Sequence, residues 1–144
     1  MKLELSLVPF GHISGAIPKI LPFINKSAVW SRGRATADDI LRFVINGSMQ
    51  LWVVFEATER KVYGHLITEV KQYPQCKMLV IQYCAIEPNH MVHVEDKMQD
   101  LAETFAKDNE CAGIEFVGRP GWGKHMKKYG YNVQSVMYQR FFKG

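Results

Sequence analysis

The stretch Met78-Leu79-Val80-Ile81-Gln82-Tyr83-Cys84-Ala85-Ile86 decides the fold. It is apolar almost throughout, the pattern of a strand buried on both faces. Glu87-Pro88-Asn89-His90 reads as a turn. Met91, Val94, Met98, Leu101 and Phe105 then recur three and four residues apart, which makes one stripe of a helix. Ile114-Glu115-Phe116-Val117 closes the unit as a second apolar run. Strand, helix and strand in that order predict a right-handed crossover between parallel strands. Such a crossover leaves a helix N-terminus beside strand ends, a position that attracts anions.

Working outward, Lys61 to Tyr73 and Gln50 to Glu56 read as two further strands joined by Ala57-Thr58-Glu59-Arg60, a hairpin. Pro74-Gln75-Cys76-Lys77 is too short to link anything but antiparallel neighbours. Thr36-Ala37-Asp38-Asp39 has the form of a capping box, so a helix runs from there to about Asn46, with Gly47 at its end. Ile13, Ile17, Ile20, Leu21, Ile24 and Val29 fall at helical spacing between Gly11 and Trp30. Pro18 and Pro22 interrupt that pattern, which predicts a broken helix. Lys2 to Leu7 alternates as a half-buried first strand. After Val117 come a short helix through His125 and Lys128, a terminating Gly130 and a long final strand from Tyr131 to Phe142. The predicted order is β-α-α-β-β-β-α-β-α-β.

A chain of 144 residues with 47% hydrophobic and 22% charged residues fits one domain, residues 1–144, with a substantial core. The net charge of +4 comes from scattered Lys and Arg, which disfavours a nucleic-acid surface. Cys76, Cys84 and Cys111 lack metal-ligand spacing, and their odd number suits reduced thiols. No apolar run has the roughly 18–20 residues of a membrane span, and Met1 to Phe10 lacks a leader pattern, so a cytoplasmic location is expected.

This layout resembles the GNAT acyltransferase superfamily over essentially the whole chain. More narrowly, Gln50-Leu51-Trp52-Val53-Val54, Thr68-Glu69-Val70 leading to Tyr73-Pro74, and Gly118-Arg119-Pro120-Gly121-Trp122 with Lys128-Tyr129-Gly130-Tyr131 resemble small GNAT-like proteins of tailed bacteriophages. The resemblance implies an α/β fold: a single mixed sheet of six to seven strands, helices on both faces, and a splayed parallel pair in the middle. It also implies an acetyl-CoA-dependent N-acetyltransferase acting on an amine. The alternative it carries is an inactive member serving in a phage particle or binding a host protein. The arm of acetyl-CoA would lie between the splayed strands, near Tyr83, Cys84 and Ala85. Its pyrophosphate would meet backbone N–H groups over Asn89, His90, Met91, Val92, His93 and Val94.

The usual phosphate loop of that superfamily is R/Q-x-x-G-x-G/A. Here Met91, Val94 and Asp96 stand at its three defining positions, and Glu87 and Glu95 add negative charge. Met126 occupies the place of the tyrosine that protonates the leaving thiolate, and methionine donates no proton. His125 beside it is the candidate substitute. Glu69 and Glu56 are candidate bases for an acceptor amine, or else carboxylates on the solvated face. Cys84 is a nucleophile only with a base beside it, and otherwise an inert buried thiol. His90 and His93 imply no metal site without further ligands. Arg119 either binds a phosphate or carboxylate through its fork or pairs within the chain, for example with Glu115. Lys124, Lys127 and Lys128 are either a phosphate-binding cluster or a solvated helix end.

Overall fold

The computed structural model describes residues 2–118 and 120–143. Its elements run β1 (Glu4–Leu7), α1 (Ile13–Trp30), α2 (Ala37–Ile45), β2 (Gln50–Glu56), β3 (Lys61–Gln72), β4 (Lys77–Ile86), α3 (Glu95–Asp108), β5 (Gly113–Phe116) and α4 (Pro120–Met126). Among the described residues one sheet holds five strands in sequential order, β1-β2-β3-β4-β5. The first three pairings are antiparallel, and β4 runs parallel to β5 across the α3 crossover. The mixed α/β sheet agrees with the sequence reading, but the strand count is lower.

The missing strand is Tyr131 to Phe142. It lies outside the sheet, so the parallel pair forms one end of the sheet and not its middle. Val133, Val136, Met137, Tyr138, Phe141 and Phe142 are all exposed there. Apolar alternation describes a strand only where a neighbour accepts its backbone hydrogen bonds, and this segment instead holds Arg34, whose guanidinium donates to Gln139 Oε1 at 2.7 Å.

The second departure is α1, which continues through both prolines. Pro18 and Pro22 are exposed on one face of it, four residues apart. The carbonyls they leave without an N–H partner belong to the solvent side, where water satisfies them. The opposite face carries Ile20 and Ile24, essentially without exposure. The capping box of α2 forms as its sequence dictates: Asp39 N–H donates to Thr36 Oγ1 at 3.2 Å, and Thr36 N–H to Asp39 Oδ2 at 2.9 Å.

Helices cover both faces of the sheet because its strands alternate. Leu51, Val53 and Ile67 pack under α1 and α2 with Ile20, Ile24, Ile40 and Val44. Trp52, Val54 and Leu66 point the other way, into a cluster with Leu3, Leu5, Val94 just before α3 and Met98 within it. Leu79 continues that side against Ala102 and Ala106. Trp52 Nε1 donates to Thr68 Oγ1 at 3.0 Å, so the buried indole is satisfied. No helix among the described residues is long and apolar enough to cross a membrane.

Two features of β3 matter for stability. A Cβ on Gly64 would lie 2.4 Å from the Ala85 carbonyl oxygen and 2.8 Å from Ile86 Cα, so only glycine lets β3 approach the end of β4. Gly64→Ala should therefore cost about 2 kcal/mol, measured as a lower urea midpoint at unchanged slope. His65 is fully buried with Nε2 2.8 Å from Ser27 Oγ, and burial pushes its pKa down to about 4 from the ordinary 6.5. The unfolded chain takes up a proton between those values while the native chain does not. Stability is thus complete above about pH 6.5 and falls toward pH 4, by about 1 kcal/mol at pH 5.5 and about 3 kcal/mol at the lower limit. Urea titrations at pH 7.5, 5.5 and 4.5 should show this slope, and His65→Gln should flatten it.

Candidate functional site

The β3–β4 register pairs Ile67 with Tyr83 but the next residue, Thr68, with Ile81. Gln82 is therefore the extra residue of a β-bulge. Parallel pairing between β4 and β5 ends at Ile81 and Phe116, one residue before that bulge. Beyond it β4 runs on to Ile86 against β3 alone, so the two parallel strands part. The chain leaves β5 and enters α4, whose Trp122 packs edge-on against Phe116 with ring centroids 6.5 Å apart. Gly118 permits this exit, since a Cβ there would lie 2.8 Å from the Phe116 ring. The result is a cleft of about 530 Å³, walled by Cys84 and Ile86 on β4, Met91 in the turn before α3, Trp122 and His125 on α4, and Trp30 at the end of α1. That size and apolar character suit a slender organic ligand.

The residues singled out from sequence are distributed unevenly around this cleft. Cys84, Asn89, Met91, Val92 and His125 line it. Tyr83 faces the α1–α2 side, Ala85 is buried, and Val94 is buried against β1 and β2. His90 Nδ1 lies 2.8 Å from the Pro88 carbonyl, and its ring stacks at 4.8 Å on Tyr63. His93 lies 6.1 Å from His90 between centroids, and no group of three metal-ligating side chains occurs among the described residues. Glu69 accepts from Gln82 Nε2 at 2.9 Å and is not a lining residue. Glu56 is held at the β2–β3 hairpin, where it accepts from the N–H groups of Thr58 at 3.0 Å and Glu59 at 2.6 Å. Those bonds hold its carboxyl below the usual range. Arg119 lies outside the described residues.

The centre of charge is Glu95, which in the sequence stands both as added negative charge and as a carboxylate that could join His90 and His93 on a metal. Glu95, the first residue of α3, is 7% exposed. Its carboxylate accepts from Lys128 Nζ at 2.7 Å and from His125 Nε2. Burial raises its pKa, but the Lys128 and His125 hydrogen bonds outweigh burial and hold it below the ordinary carboxylate value. An ionised carboxylate only accepts, so His125 Nε2 carries the donated proton, and in the neutral ring Nδ1 is the basic nitrogen. Asp96 accepts from the Tyr129 hydroxyl, and Gln99 Oε1 from the Tyr131 hydroxyl at 2.8 Å. Three side chains of the first turns of α3 thus hold the segment that follows β5.

The fit to acetyl-CoA divides at this point. The cleft, about 530 Å³ and largely apolar, suits a pantetheine arm. The α3 N-terminus does not suit the diphosphate. His90, His93 and Val94 donate their N–H groups to the carbonyls of Glu87, His90 and Met91 at 3.2, 3.0 and 3.0 Å. No glycine lies between residues 87 and 112 to bring backbone close to a phosphate, and Glu95 and Asp96 place two carboxylates at the helix end. Lys128, one of three candidate phosphate lysines, is engaged by Glu95. Cys84 offers no nucleophile, because burial pushes its thiol up to about 12. Iodoacetamide labelling at pH 8, read by mass spectrometry, should modify Cys84 at least about tenfold more slowly than Cys76 or Cys111.

No family model and no curated protein matches the sequence. Solved structures do match the fold. Glucosamine-6-phosphate N-acetyltransferase from Arabidopsis thaliana superposes with a TM-score of 0.71 at 11% identity, over 99% of this chain and 100% of that one. A predicted acetyltransferase with acetyl-CoA from Clostridium acetobutylicum gives 0.69 at 15% identity, over 96% of each chain. An aminoglycoside acetyltransferase from an uncultured soil metagenomic sample, in complex with sisomicin, gives 0.67 at 12% identity, over 98% and 97%. The chain has the fold of these N-acetyltransferases.

Proposed function

We propose that the protein is an N-acyltransferase that moves an acetyl group from a thioester, acetyl-CoA or a shorter pantetheine thioester, to an amine. The observation that carries this reading is the cleft at the parting of β4 and β5, with a carboxylate-oriented histidine on its wall. The acceptor amine attacks the thioester carbonyl, the C–N bond forms, and the C–S bond breaks with the thiolate leaving. His125 Nδ1 takes the proton that the amine loses and returns it to the thiolate sulfur, so no net proton is consumed. Glu95 holds the ring through Nε2 and favours its charged form during the transfer. Trp30, Trp122 and Ile86 limit water around the thioester.

A second reading, a GNAT-fold module that binds another protein without transfer chemistry, draws on the exposed apolar residues between Val133 and Phe142. The phage proteins that the sequence resembles make a particle component or a host-protein ligand the form such a role would take.

One assay separates the two. Thiol release from S-acetyl-pantetheine and from acetyl-CoA is followed with a panel of amino sugars, aminoglycosides and lysine peptides. His125→Ala should lower kcat by about 10²-fold or more while changing donor affinity less than about threefold. An amine-dependent rate that His125→Ala leaves intact would remove His125 from the mechanism. No amine-dependent thiol release with either donor would leave the binding-module reading.

A further inference from the structure

We propose that the donor is a pantetheine-type thioester carrying no nucleotide diphosphate beyond the arm. This rests on the cleft being an acyl-donor site, and it names the class of donor. At the helix N-terminus, where a diphosphate gains most, the chain sets carboxylates of its own. Glu95 sits at the first position of the 14-residue α3 with its carboxylate buried, bonded to Lys128 and His125. A buried carboxylate at a helix N-terminus draws on the same dipole that would hold a phosphate. Asp96, exposed on the next residue, adds a second carboxylate that takes the Tyr129 hydroxyl.

Admitting a diphosphate would place two further negative charges beside Asp96 and the Glu95–Lys128 pair, with the His90, His93 and Val94 N–H groups already given to carbonyls. Solvent screening leaves the exposed Asp96 carboxylate a repulsion worth about threefold in affinity, and Glu95 acts through the cation it holds, because Lys128 bonded to it is withheld from a phosphate. Relieving the repulsion by displacing Glu95 would strip the buried partner from His125 and release the segment Lys127 to Tyr131 from α3. Beside the Glu87 carboxylate, the cleft wall nearest α3 presents Asn89, Met91 and Val92. An amide and two apolar side chains match the amides and methyl groups of a pantetheine arm, and they offer nothing to an anion. The chain thus retains the half of the site that holds the arm and has replaced the half that holds the nucleotide.

The test is calorimetric titration of the full-length protein with S-acetyl-pantetheine, S-acetyl-4′-phosphopantetheine and acetyl-CoA. The expected result is that acetyl-CoA binds no more tightly than S-acetyl-pantetheine, with the 4′-phosphate form separating a carrier-borne arm from a free one. Glu95→Gln should raise the affinity for acetyl-CoA relative to that for S-acetyl-pantetheine about tenfold or more. Asp96→Asn, which leaves the buried pair intact, should tighten acetyl-CoA by about threefold and serves if the first variant fails to fold. Wild-type protein that binds acetyl-CoA tenfold more tightly than S-acetyl-pantetheine would overturn the inference while leaving the acyltransferase reading in place. If none of the three binds at millimolar concentration, the donor site itself is refuted, and this inference with it.

Discussion

The parting of β4 from β5 governs everything functional in this molecule. Parallel ladders hold strands about 4.8 Å apart, which leaves no room between them for a ligand. Here the ladder stops at Ile81 and Phe116, and the bulge at Gln82 reorients the rest of β4 without breaking its pairing to β3. β3 in turn can follow β4 to its end only because Gly64 has no side chain. A single extra residue in one strand and a missing Cβ in its neighbour thus convert a sheet edge into a cleft.

On one wall of that cleft His125 belongs to an ion cluster contributed by two distant parts of the chain. Glu95 would be costly to bury alone, and it is tolerated because Lys128 and His125 converge on it. The arrangement does three things together. It fixes the tautomer of His125, it docks the segment after β5, and it sets a carboxylate at the N-terminal end of α3.

Most of the fold is legible in the sequence because hydrophobic pattern and turn chemistry agree: continuous apolar runs in β2 and β4, the Thr36 capping box, Gly47 and Gly130 at left-handed ends. Where reading failed, the deciding partner lay elsewhere in the chain. Tyr131 to Phe142 has strand-like alternation, but no strand stands beside it. Pro18 and Pro22 look like helix breakers until α1 turns both toward water. The lone Gln82 inside an apolar run is the visible trace of the bulge, yet polarity alone does not distinguish a bulge from an outward-facing residue. The Glu95–His125 contact spans 30 residues of sequence, and no local pattern encodes it.

The aromatic residues around the cleft have a practical consequence. The chain has three tryptophans, and Trp30 and Trp122 both stand on the cleft wall while Trp52 is sealed in the core against Phe105. Intrinsic emission from this protein is therefore weighted toward the one place where a ligand would enter. The buried Trp52 supplies a constant background that reports only on whether the sheet is folded. Occupancy and integrity are spectroscopically separate here without any label.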